Sequence, residues 1–292
     1  MPTHINSSDV KPLIGAHINS ELDELINKAK IIKKNGGNIV QLFANKISKK
    51  AKKYYNDFFL YLQSVNMKCV VHSSYTINIA QNWDFHSWWL KQLISEIQIA
   101  NSINAIGVVL HLGKQLNISK EVAINNTYTS LQYVLSKTKH YNIPIFLETS
   151  SGQGSEMFSN IEDFGIFFKK IKKITNNVGI CIDTCHIFSA GYDIRGKSNI
   201  TKFLKLFDSS IGLENVKLIH LNDSKNELGS KIDRHANYSK GYSGDISDIS
   251  NIGDIGIKSI KIFANFFKNL EVPIILETPV DNVINDLINV LD

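Results

Sequence analysis

The sequence predicts a single α/β domain, a (β/α)8 TIM barrel with a metal site at the C-terminal rim of its strands. Three observations predict the barrel. Eight short runs rich in Ile, Val and Leu recur along the chain, as strands buried on both faces require. Each run is followed by a stretch with the apolar spacing of an amphipathic helix. No G-x-G-x-x-G turn follows the first run, which argues against a doubly wound open sheet.

Taken in order, the first strand is expected over Leu13–His17 (LIGAH), with a helix over 20–35. The second, Asn38–Phe43 (NIVQLF), precedes a helix over 48–65. The third, Lys68–Ser73 (KCVVHS), leads to a helix over 84–103. Ala105–Leu112 (AIGVVLHL) is followed by 118–141, and Pro144–Thr149 (PIFLET) by 159–173. Val178–Thr184 (VGICIDT) precedes 199–211, and Lys217–Asn222 (KLIHLN) precedes 256–269. Pro273–Thr278 (PIILET) closes the barrel with a helix near 280–291. Eight strand–helix repeats over this length are the (β/α)8 pattern. No linker or low-complexity segment divides them, so residues 12–292 read as one barrel domain after a polar lead-in, MPTHINSSDVK, at 1–11.

Composition sets limits on the function. A hydrophobic content of 43% with 20% charged residues suits a soluble globular chain. No apolar run is long enough to span a bilayer, and the N-terminus lacks a signal-peptide core, so no membrane partner is expected. Cys69, Cys181 and Cys185 are odd in number and sit in apolar runs, which points to buried thiols in a reducing, intracellular compartment. The net charge of +5 is compatible with an anionic partner without specifying one. Of 32 basic residues only Arg195 and Arg234 are arginine.

In a TIM barrel, chemistry sits where the strands end at their C-terminal face. There the sequence places His72, His111, Glu148, Asp183, His186, His220, Asp233, His235 and Glu277. A lone histidine on an apolar strand is commonly a hydrogen-bonded core residue, and an acid at a strand end is commonly a cap. Nine such groups converging on one rim are different, because buried charges without counter-ions cost several kcal/mol each. Imidazoles mixed with carboxylates suit zinc, manganese or iron, and nine ligands exceed one tetrahedral site. Two or three metals sharing a bridging carboxylate are therefore expected. His4, His86 and His140, in the tail or in helices, are expected to have no role, and Cys185 is read as a small buried filler.

The blocks GAH (15–17), HSSY (72–75), HLG (111–113), LETSSGQGS (147–155), CIDTCHIFSAGYDIR (181–195), HLNDSKNELGSKIDRH (220–235) and ILET (275–278) resemble the signature blocks of the endonuclease IV family. They appear in family order and cover nearly the whole chain. The resemblance implies a zinc-dependent, monomeric DNA-repair enzyme. It would hydrolyse the phosphodiester 5′ to abasic sites in duplex DNA, leaving a 3′-hydroxyl and a 5′-deoxyribose phosphate. It further implies three zinc ions, with manganese or iron as alternatives at one site. His72 and His111 would hold the first, and Glu148 would bridge it to a second completed by Asp183, His220 and Glu277. His186, Asp233 and His235 would hold the third. Glu277 would also orient the attacking hydroxide, with Glu148 as its catalytic partner. Family members occur in cells and in large DNA viruses, so the resemblance implies cytoplasm, nucleus or virion.

Abasic nucleotides lack a base to stack, so extruding them costs less than extruding normal ones. Tyr75, three residues past His72, matches the aromatic that the family inserts into the DNA gap. After Phe43 the sequence departs from the family. Its arginine wedge and tryptophan are absent, and Lys46, Lys49 and Lys50 stand there as candidates for phosphate or minor-groove contact, or as a solvated helix start. Arg195 and Arg234 lie within matched blocks, where a guanidinium fork would serve a phosphate or a ligand carboxylate. Two other readings are a sugar isomerase or epimerase on a related barrel, and a non-catalytic DNA-damage binder.

Overall fold

Eight parallel strands close on themselves in the computed structural model, which describes residues 11–18, 21–44, 48–238 and 254–292. The strands are β1 (Ile14–His17), β2 (Ile39–Phe43), β3 (Lys68–His72), β4 (Val108–Leu110), β5 (Ile145–Glu148), β6 (Val178–Asp183) and β7 (Val216–His220). Two short strands, β8 (Asp223–Ser224) and β9 (His235–Ala236), form an antiparallel pair before the last barrel strand, β10 (Ile274–Leu276). The barrel order is β1-β10-β7-β6-β5-β4-β3-β2, with each strand parallel to its neighbours. The helices are α1 (Leu25–Lys34), α2 (Lys49–Ser64), α3 (Trp88–Ser102), α4 (Lys120–Thr138), α5 (Ile161–Lys172), α6 (Thr184–Ser189), α7 (Gly196–Ser210), α8 (Ile257–Lys268) and α9 (Val283–Leu291). No described helix is long and apolar enough to cross a membrane. Of the expected lead-in at 1–11, only Lys11 is among the described residues.

A period of two along the strands separates two cores. Ile39, Val70, Val109, Phe146, Cys181, Leu218 and Ile275 pack together inside the barrel. Their strand neighbours, such as Val40, Val71, Ile145, Ile182 and Leu276, face outward into the helix layer. Two residues beyond each interior apolar position the same inward face reaches the rim. Gly15 occupies the β1 position because a Cβ there would lie 1.7 Å from the Ile39 carbonyl oxygen.

Several elements differ from expectation. β4 spans three residues where an eight-residue run predicts more, since apolar run length reports burial on two faces rather than the length of the ladder. Between β6 and the helix expected over 199–211 lies a further six-residue helix, α6. α3 begins at Trp88, not near 84, because the Asp84 and Ser87 side chains hold a turn there (His86 N–H to Asp84 Oδ1, 2.8 Å). His86 thus lies in a turn rather than a helix, His140 lies in a 3-10 helix that follows α4, and His4 is outside the described residues. α7 begins at Gly196 rather than 199, and the β8–β9 pair was not foreseen.

Candidate metal centre

All nine expected ligands come together at the rim. Glu148, at the end of β5, is the hub. Its Oε2 lies 2.7 Å from His111 Nε2 and 3.3 Å from His72 Nε2, and its Oε1 lies 2.8 Å from His220 Nδ1. His220 Nδ1 is also 3.2 Å from Glu277 Oε2, so the carboxylates of Glu148 and Glu277 face one imidazole nitrogen. On the far side, Asp233 approaches His186 Nε2 and His235 Nε2, each at 3.2 Å, and His235 Nε2 stands 3.5 Å from Asp183 Oδ2. These groups open into a cavity of about 300 Å³ with Phe43, Tyr75 and Val280 on its apolar side.

Local structure aims the ligands. Asp183 caps α6, its Oδ1 accepting the His186 N–H at 3.0 Å. That cap fixes one ligand relative to another and leaves Oδ2 for the centre. Three imidazoles are oriented by backbone carbonyls at the far ring nitrogen. His72 Nδ1 donates to Ser73 O (2.7 Å), His186 Nδ1 to Thr149 O (2.8 Å) and His235 Nδ1 to Glu277 O (3.2 Å), which turns each Nε2 towards the carboxylates.

Burial opposes charge throughout the cluster, yet the mutual pairing outweighs it. Burial alone would lower His72, but Glu148 and Glu277 raise it to about 9. His235 likewise rises to about 9 against its burial, through Asp183, Asp233 and Glu277. His186 is pushed well above the ordinary range by Asp183 and Asp233. Burial would raise the acids too, but His111 and His220 hold Glu148 well below the usual carboxylate range. His220 and His72 bring Glu277 down to about 2 despite Glu148 nearby. Protons on the imidazoles thus balance the carboxylates, and a divalent cation binding here must displace them.

The chain matches the family model described as "Xylose isomerase-like TIM barrel" over residues 29–279. A curated endonuclease 4 relative from Acanthamoeba polyphaga mimivirus is 34% identical over 284 residues, covering 92% of this chain and 86% of its own length. Another, from Thermosipho melanesiensis, is 36% identical over 267 residues, with 86% of each chain covered. The chain belongs to the endonuclease IV family. It is accordingly a hydrolase of the nuclease type. The crystal structure of endonuclease IV from Thermus thermophilus superposes with a TM-score of 0.74 at 21% identity, over 94% of this chain and 96% of that one, which shows the shared barrel.

Three residues of this endonuclease IV centre escaped the sequence reading. Gln41 on β2 is fully buried and bonds Glu277 Oε1 and His220 Nε2, at 2.6 and 2.8 Å. His17, from the GAH block, lies 3.0 Å from the Gln41 amide nitrogen and 3.7 Å from Glu277 Oε1. Asn222 donates to Asp183 Oδ2 (2.7 Å) and Glu277 Oε2 (3.3 Å), and its Oδ1 accepts the Glu277 N–H at 2.8 Å. The strand period could have found the first two. His17 and Gln41 stand two residues beyond Gly15 and Ile39, as His72 does beyond Val70 and Glu277 beyond Ile275.

The DNA-contact candidates are placed less uniformly. The Tyr75 side chain is 76% exposed at the cavity edge, with its ring centroid 6.2 Å from that of Phe43. Arg195 is engaged within the protein, with Nε and Nη2 on the Asp193 carboxylate at 3.0 and 3.1 Å and Nη1 3.4 Å from Asp254. Arg234 is exposed and bonds the Asp233 carbonyl at 2.6 Å, beside a ligand. Lys49 and Lys50 begin α2 behind the Ser48 cap, and Lys50 is exposed with its ammonium 5.8 Å from the Tyr54 ring. Lys46 lies outside the described residues. Cys185 is buried against the Arg234 carbonyl, and burial pushes its thiol up to about 12, which suits a filler rather than a thiolate ligand.

Proposed function

We propose that this protein is a DNA-repair endonuclease that hydrolyses the phosphodiester 5′ to abasic sites in duplex DNA with three zinc ions. The observation that carries the reading is the convergence of nine imidazole and carboxylate ligands around a Glu148 carboxylate placed to bridge. The donor set fits cations. Glu148 Oε2 and His235 Nε2 are buried beside opposite charges, His111 at 2.7 Å and Asp233 at 3.2 Å, yet neither makes an aligned hydrogen bond, and strong ligand atoms are rarely buried so. His72, His111 and Glu148 would hold one ion. Glu148, Asp183, His220 and Glu277 would hold a second, and His186, Asp233 and His235 a third. Divalent cations there supply acidified water and positive charge for the phosphoryl transition state and the departing 3′ oxygen.

The chain's own groups do the rest. Glu277, 14% exposed at the cavity edge, is the member of the Glu148–Glu277 pair that substrate water can reach, and it orients the nucleophile through Oε2. Glu148, 1% exposed, holds its place between three imidazoles. Tyr75 presents an aromatic face to the space left by a missing base. Lys46, Lys49, Lys50, Arg234 and Arg195 are proposed phosphate contacts, and Arg195 would have to leave Asp254 to make one. A sugar isomerase on a related barrel would leave the His186, Asp233 and His235 set without a task. Loss of a ligand position would favour a non-catalytic DNA-damage binder that keeps metals for structure, and all nine positions are filled.

Zinc-loaded protein incubated with an abasic duplex and a plain duplex of the same sequence tests the reading. Incision of the abasic strand alone, at its 5′ side and with a 3′ end that a polymerase extends, is the expected result. No incision, or equal cutting of both duplexes, would overturn it.

A further inference from the structure

His220 is oriented differently from three other imidazoles of the centre. His72, His186 and His235 each give their far nitrogen to a backbone carbonyl. His220 instead meets a side chain, the Gln41 Oε1 atom, at 2.8 Å from Nε2, on the inner face of β2. Gln41 is fully buried, and its amide nitrogen is committed twice, to Glu277 Oε1 at 2.6 Å and to His17 Nδ1 at 3.0 Å.

The geometry points to Gln41 as the residue that positions the second metal site, by fixing the tautomers of His220 and His17 and the rotation of the Glu277 carboxylate together. An amide has two N–H donors and one carbonyl acceptor, and all three are used here. Because the carbonyl faces His220, that ring keeps a proton on Nε2, and Nδ1, 2.8 Å from Glu148 and 3.2 Å from Glu277, is the nitrogen left to a cation. Because the donors face Glu277 and His17, Oε1 of the acid is held back, Oε2 is left for the centre, and His17 keeps an unprotonated Nδ1. Reversing the amide would set N–H against N–H at His220 and oxygen against oxygen at Glu277. The three contacts therefore enforce one arrangement, and each supports the others. Outer partners of this kind govern how well a ligand is presented, because they set tautomer and ring orientation before the ion arrives.

The inference rests on the metal reading above but can fail separately from it, since zinc binding is read without DNA. Metal-stripped wild type, Gln41→Met, Gln41→Glu and the exchange Gln41→Glu with Glu277→Gln are titrated with zinc against a chromophoric chelator. Histidine side-chain nitrogen spectra report the Nε2 proton of His220. Gln41→Met keeps the volume and removes all three contacts, so one zinc should bind about 10–100-fold more weakly and the His220 Nε2 proton should lose its fixed position. Gln41→Glu keeps an acceptor for His220 but opposes Glu277, and should also weaken that zinc. In the exchanged pair the new amide at 277 can donate to the new carboxylate at 41, so affinity should recover in part over Gln41→Glu. Melting of each metal-free variant shows which are folded, and the exchanged pair decides the matter should Gln41→Met not fold. Zinc affinity within twofold of wild type in folded Gln41→Met, or no recovery in the exchanged pair, would overturn the inference. Normal zinc behaviour with no abasic incision would count against the proposed function alone.

Discussion

The two tasks proposed for Glu277 can be separated by a single substitution. Its carboxylate reaches His220 through Oε2 and Gln41 through Oε1, so it is held in place and still borders the cavity. Glu277→Gln retains an oxygen for a cation but loses the negative charge proposed to orient the nucleophile. The variant should keep most of its zinc and lose most abasic incision, by roughly two orders of magnitude or more, as expected for removing a group that acts in the transition state. Near-normal single-turnover cleavage would leave Glu277 with a structural part only. Tyr75 makes a different case at the same scale. Its ring is exposed and its only described ring partner is Phe43. Tyr75→Ala should weaken binding to abasic duplex by about 1–3 kcal/mol, the worth of a base–aromatic stack, with little effect on plain duplex. Equal losses on both duplexes at one salt concentration would assign Tyr75 to rim packing.

Among the elements, the loop from β3 to α3 shows how the barrel holds a connecting segment in place near its centre. Ser74, between His72 and Tyr75, donates its N–H to the Glu96 carboxylate on α3 at 3.2 Å, and Gln92 donates to the same group at 2.8 Å. Glu96 is buried, and desolvation raises it to about 7 in spite of those donors. A carboxyl with a raised folded pKa favours the native state while both states are protonated, below about 4.5. That contribution is lost as pH rises through about 7. Glu96→Gln removes the titration. In melts of metal-free protein from pH 5 to 8, wild type should lose stability relative to the variant with rising pH, on the order of 2 kcal/mol across the window. Parallel curves for the two proteins would show that Glu96 stays charged throughout.

For the molecule as a whole, the centre gathers side chains from β3, β5, β6, α6, β7, the segment ending in β9 and the segments beyond β4 and β10, so bound cations would tie most of the barrel's rim together. Stripping metal with a chelator should lower the melting temperature, and restoring zinc should raise it. A site filled at 100 times its dissociation constant adds about 2.7 kcal/mol. The pH dependence follows from the raised imidazoles. His72 and His235 stand at about 9 without metal, so zinc must displace their protons at neutral pH, and its affinity should fall as pH falls. Calorimetry in two buffers of different ionisation enthalpy measures the proton release. Zinc uptake without proton release, or a melting temperature indifferent to zinc, would contradict a buried cation centre.

The sequence by itself determined the barrel and the nine-residue cluster. β-Branched runs such as VVH in β3 and ICID in β6 state both strand type and rim position, because a parallel strand buried on two faces has almost nowhere else to place a charged residue. Chemistry-bearing residues at strand ends were therefore legible without coordinates. Tertiary structure decided what depends on approach between distant segments. Gln41 and His17 carry no metal-ligand signature in sequence, and only barrel closure, which pairs β1 with β10 and leaves β2 one strand further on, brings them to Glu277 and His220. Arg195 reads in sequence as a guanidinium that serves a phosphate or a carboxylate, and only the fold brings Asp254, 59 residues away, to its Nη1. Local pattern records which face a residue turns to, whereas hydrogen-bond partners more than 200 residues apart, as Gln41 and Glu277 are, are chosen by the closure of the sheet.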